Sequence, residues 1–74
     1  MAATYRIFVF KSTYLTFKAE RAFKAAGIPC KVVTKPRGIS SDCGLSVRVD
    51  AADEVRAEET LSAAGIEKIG VYEA

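Results

Sequence analysis

The chain contains no histidine and no tryptophan, and it has only two cysteines, two prolines and one methionine. Without histidine there is no imidazole to serve as a base at neutral pH. That excludes a Cys-His nucleophile pair and removes the commonest zinc ligand. The cysteines, Cys30 and Cys43, are thirteen positions apart, a spacing that fits no metal site, so neither a metal nor a cofactor is expected. Long hydrophobic runs are missing too. The run from Ile7 to Phe10 is too short for the apolar core of a signal peptide, and no stretch is long enough to span a membrane. The expected setting is cytoplasmic and reducing, with free thiols. Seventy-four residues, half of them hydrophobic, make a single domain over 1–74 with a small core and no room for an enclosed active site. No enzymatic activity of its own is expected.

The net charge is only +2, which argues against non-specific binding to nucleic acid. Its distribution is uneven. Residues 1–37 carry eight Lys/Arg against one acidic residue, Glu20, a balance of +7. Residues 38–74 carry three against eight, a balance of −5. The plain reading is two solvated faces that attract each other within the fold or across a dimer.

An internal repeat organises the chain. Glu20-Arg21-Ala22-Phe23-Lys24-Ala25-Ala26-Gly27-Ile28 is echoed 38 residues later by Glu58-Glu59-Thr60-Leu61-Ser62-Ala63-Ala64-Gly65-Ile66. Each copy reads as a helix end, a glycine stop and a strand. A strand candidate precedes each: Tyr5 to Phe10, rich in aromatic and β-branched residues, and Leu45-Val47-Val49, alternating with Ser46 and Arg48. The first helix is expected from a Ser12-Thr13 cap to Ala26, with Leu15, Ala19, Ala22, Phe23 and Ala26 on one face. The second is expected to be capped by Asp50, with Asp53 and Glu54 in its first turn and Ala57, Leu61 and Ala64 as its apolar stripe. Two strand-helix-strand units of this length predict an α+β fold, the ferredoxin-like βαββαβ two-layer sandwich with a four-stranded antiparallel sheet. Strand one is apolar on both faces, and helices cover only one. The open face is therefore expected to expose an apolar patch, and a homodimer through it is the matching expectation.

Lys35-Pro36-Arg37-Gly38-Ile39-Ser40-Ser41-Asp42-Cys43-Gly44 is polar and turn-rich, and it lies between two strands. Its topology sets it on one rim with the end of strand one and the Ser12-Thr13 helix start. Lys11, Lys35 and Arg37 and the partial positive charge of a helix N-terminus favour a thiolate at Cys43. Asp42 opposes it. Ser40, Ser41 and nearby N–H groups can donate hydrogen bonds to a thiolate or a terminal sulfur, and Gly44 lets a partner's backbone approach. Pro36 stiffens the loop entry.

With Pro36-Arg37-Gly38-Ile39-Ser40-Ser41-Asp42-Cys43-Gly44, the junction Phe10-Lys11-Ser12-Thr13 and the helix end Ala25-Ala26-Gly27-Ile28-Pro29, nearly the whole chain resembles the selenium/sulfur carrier-like family. The resemblance implies that Cys43 bears the sulfur or selenium, as a persulfide or selenide. Its flanking loop would be Arg37, Ile39, Ser40, Ser41 and Gly44. The partner implied is a cysteine desulfurase or a selenium-handling enzyme.

Two other readings are weighed beside this one. Cys43 can be an ordinary loop cysteine in a small-ligand-binding or regulatory module, which would use the same strand order. An RNA-binding module is suggested by Ile7-Phe8-Val9, but Gly44 to Val49 has no aromatic for base stacking, so nucleic acid is not expected as a partner. Nor is a membrane. Cys30, in phase with Ile28 and Val32, is expected to pack in the core, several residues from the Cys43 rim and out of disulfide reach.

Overall fold

Ser12 starts the first helix, three residues after the first strand ends at Val9. Its hydroxyl accepts the Leu15 N–H at 3.2 Å, and its carbonyl accepts both the N–H and the hydroxyl of Thr16 at 3.0 Å. The computed structural model describes residues 4–39 and 44–73. Its elements are β1 (Tyr5–Val9), α1 (Thr13–Ala25), β2 (Cys30–Thr34), β3 (Leu45–Asp50), a 3₁₀ turn (Ala51–Asp53), α2 (Glu54–Ala64) and β4 (Gly70–Glu73). The four strands form one sheet in the order β2-β3-β1-β4, antiparallel throughout. The chain is thus an α+β ferredoxin-like βαββαβ sandwich, only 16 Å through its thinnest dimension.

Both halves of the internal repeat become the same helix stop. Ile28 N–H donates to the Phe23 carbonyl at 2.9 Å and Gly27 N–H to that of Lys24 at 3.1 Å. In α2, Ile66 donates to Leu61 at 2.9 Å and Gly65 to Ser62 at 3.2 Å. This is the paired-bond cap that requires left-handed backbone, and Gly27 and Gly65 supply it at φ 76° and 70°. The residues after the glycines, Ile28 and Ile66, then turn back into the core.

Strand alternation fixes the core. Phe8, Phe10, Val47 and Val49 point to the helices and pack with Ala19, Phe23, Ile28, Ala57, Leu61 and Ile66. Phe8 and Phe23 meet edge to face at 5.7 Å. Leu15, Ala22, Cys30 and Val71 close the margins. Ala26 and Ala64 are exposed, against expectation: Ala26 lies just past the end of α1 and Ala64 is the last residue of α2, so both sit at the margin of the core.

Two other expectations are corrected. Asp50 does not cap α2. It precedes the 3₁₀ turn, and neither Asp50 nor Asp53 makes a side-chain cap hydrogen bond. The reason lies in β3, which holds Asp50 opposite Tyr5 while Ala51 N–H is taken by the Thr4 carbonyl at 2.7 Å. The open sheet face is not a bare apolar patch either: Ile7 is 4% exposed and Val9 0%. Polar and aromatic side chains share their face. The Arg48 guanidinium lies 4.2 Å from the Tyr5 ring centroid. Tyr72, paired with Ile7, folds back over Gly70, which is paired with Val9.

Candidate functional site

β2 and β3 are the hairpin that carries the candidate loop. Their ladder runs from Cys30–Val49 to Thr34–Leu45, and Lys35 N–H to the Gly44 carbonyl, 2.9 Å, closes the loop at its base. Arg37 and Gly38 form an exposed turn, while Lys35, Pro36 and Ile39 are half-buried. Ser40, Ser41, Asp42 and Cys43 lie outside the described residues. Gly44, the sequence neighbour of Cys43, is exposed, and a Cβ added there would meet nothing within 4 Å. The backbone at the foot of the loop is therefore open to an approaching surface.

The register brings the start of α1 to the same edge. Val9 pairs with Ser46 and Gly70, and Ser46 pairs with Val33, so the end of β1 and the base of the hairpin fall in adjacent rows. Lys11, Ser12 and Thr13 follow directly, and α1 then runs back across β2 and β3. Lys35, Arg37, Gly44, Ser12 and Thr13 thus share one rim. The Ser12 hydroxyl accepts the Leu15 N–H and so fixes the helix start at this rim.

Cys30 stands at the other end of the sheet, paired with Val49. It is half-buried beside a cleft of about 310 Å³ shared with Tyr5, Lys31, Arg48 and Asp50. Its Sγ lies 3.8 Å from the Glu20 carbonyl. Burial pushes this thiol above its ordinary value and the Glu20 carboxylate adds to the rise, with Lys24 opposing. Cys30 is a neutral packing group, as its strand phase predicts.

Among the described residues no cluster of His, Cys, Asp or Glu could hold a metal, and no helix is long and apolar enough to cross a membrane. Phe8, the aromatic of the suggested RNA motif, is wholly buried against Phe23 and offers no stacking surface.

Sequence reasoning missed the outward face of α1. Tyr14 is 71% exposed and Phe17 43%, beside exposed Lys18 and Arg21. Their spacing was the available signal: residues 14, 17, 18 and 21 fall together on a helix, away from the Leu15-Ala19-Phe23 stripe.

No curated protein and no solved structure matches the chain. A family model does, over residues 5–73, which takes in every strand and both helices as well as the hairpin loop. By that match the chain belongs to the family described as "Putative Se/S carrier protein-like".

Proposed function

We propose that the chain is a cytoplasmic sulfur or selenium carrier that holds the atom on Cys43. The family match over residues 5–73 carries this reading. The exposed, open backbone at Gly44 supports it, since a carrier must offer its thiol to a second protein's site.

The chemistry needs no base in this chain. The Cys43 thiolate attacks the outer sulfur of a persulfide on a donor enzyme. The donor's S–S bond breaks as the new one forms, the donor's cysteine leaves as a thiolate, and Cys43 becomes the persulfide. No oxidant or reductant is consumed. Selenium passes by the same displacement when it is the outer atom. The donor is a cysteine desulfurase or a selenium-handling enzyme, and the absence of histidine fits a chain that relies on its partners for proton transfer.

Alkylation by iodoacetamide at pH 7, followed at each cysteine by mass spectrometry, tests the premise. Cys43 is expected to react about tenfold faster than Cys30 in the folded chain. Equal rates, or a slower Cys43, would make it a structural cysteine.

A further inference from the structure

The first turns of α1 present a strip that the core does not use. Tyr14 and Phe17, 71% and 43% exposed, are joined by Lys18 and Arg21, and with Thr13 they line an open groove of about 420 Å³. The Lys18 ammonium lies 5.9 Å from the Tyr14 ring centroid. Neither Lys18 nor Arg21 forms an ion pair among the described residues. The one acidic residue of α1, Glu20, is turned away: its carboxylate holds Lys24 at 3.3 Å, and it is the less exposed member of that pair. The strip is therefore apolar at its centre and cationic at its edge, with no negative charge of its own.

Its position ties it to the rim. Thr13 begins α1 at the hairpin end of the sheet, and Arg21 is about 12 Å further along the helix at ~1.5 Å per residue. A protein that approaches this end of the sheet can reach both the base of the hairpin and these turns. We propose that this strip is the docking surface for the donor enzyme, and that the enzyme meets it with an acidic surface around an apolar patch. The inference rests on the carrier reading of Cys43. Exposed Tyr, Phe and Arg are the side chains from which interface anchors are drawn, and rim cations speed encounter with an oppositely charged partner. A protein fits better than a nucleic acid. Two cations are too few to follow a phosphate backbone, and two aromatics on a convex helix make no platform for successive bases.

The test uses the full-length chain with a cysteine desulfurase from the same genome, fed with L-cysteine. The rate of persulfide formation on Cys43 is measured against carrier concentration for wild type, Lys18→Glu/Arg21→Glu and Tyr14→Ala/Phe17→Ala. Loading from glutathione persulfide is measured in parallel. The expected result is a KM for the carrier raised about tenfold or more in both variants, with kcat and small-molecule loading unchanged. Unchanged KM values would overturn the docking surface and leave the carrier reading intact. So would a wild type loaded by glutathione persulfide but not by the enzyme. Loading by neither donor would overturn both. Binding of a single-stranded RNA 20-mer that the charge-reversal variant abolishes would overturn the protein assignment.

Discussion

Cys30 opens β2 at the end of the sheet away from the Lys35–Gly44 bond, and its environment holds the proton on sulfur. The consequence for stability has a definite sign. Its folded value is raised, so the unfolded chain releases the proton first as pH rises. The stabilisation is fully present below the ordinary value of 9.0 and is lost as pH climbs through the folded value. In urea unfolding, wild type should lose stability above about pH 9 more steeply than Cys30→Ala; parallel curves would show that the thiol is not perturbed. Gly70 gives a second residue-scale test. A Cβ there would lie 2.7 Å from the Tyr72 hydroxyl, so Gly70→Ala must push the phenol off its seat. The expected cost is about 1 kcal/mol, and it should vanish in a Tyr72→Ala background; a cost that persists there would point to the backbone instead. Cys30's inward phase was legible from alternation with Ile28 and Val32. The Tyr72–Gly70 contact was not, because it depends on a rotamer that no pattern encodes.

At the scale of elements, the repeat was the clearest signal in the chain. Ala-Ala-Gly-Ile occurs twice because the same pair of carbonyl bonds ends each helix. Gly27→Ala and Gly65→Ala should each destabilise by about 1 kcal/mol in denaturant melts, since alanine resists left-handed backbone. Ser12→Ala should cost a similar amount, about 1 kcal/mol, through loss of the Leu15 cap. Asp50→Ala should cost less than about 0.5 kcal/mol, because Asp50 makes no side-chain cap bond; a loss as large as that of Ser12→Ala would restore the cap that the sequence suggested. The start of α1 was readable because a serine, a strong capping residue, stands directly before the apolar stripe of the helix. The start of α2 was not. The 3₁₀ turn after β3 arises from the Ala51 bond to Thr4, a contact between distant parts of the chain.

Across the whole molecule, the division into a basic and an acidic half resolves partly inside the fold. Arg6 of the basic half meets Glu54 at 2.9 Å and Glu73 at 3.9 Å, while Lys24, Arg56 and Lys68 pair within their own halves. Arg56 also reaches across to the Ala26 carbonyl at 3.1 Å and so ties α2 to the end of α1. Glu54→Gln should lower stability by about 0.5–1 kcal/mol, less at high salt, because the Arg6 pair is only partly buried. A salt-independent loss would mean that packing rather than charge is at stake there. The sheet topology, the rim shared by the helix start and the hairpin base, and the family were all legible in the sequence. The burial of Ile7 and Val9 on the open sheet face was not legible, because strand alternation shows which side chains face outward but not what covers them. The exposed strip on α1 is written in the helical spacing of Tyr14, Phe17, Lys18 and Arg21, on the face opposite the apolar stripe that signals the core.

The central claim concerns one sulfur atom on one cysteine. The measurement that tests it most directly is the intact mass and peptide map of the Cys30→Ser chain after exposure to a persulfide donor, followed by transfer to an acceptor thiol. The account predicts a single added sulfur on Cys43, stable until the acceptor removes it, and none in Cys43→Ser. A Cys43 that takes up no sulfur while the chain remains folded would contradict it.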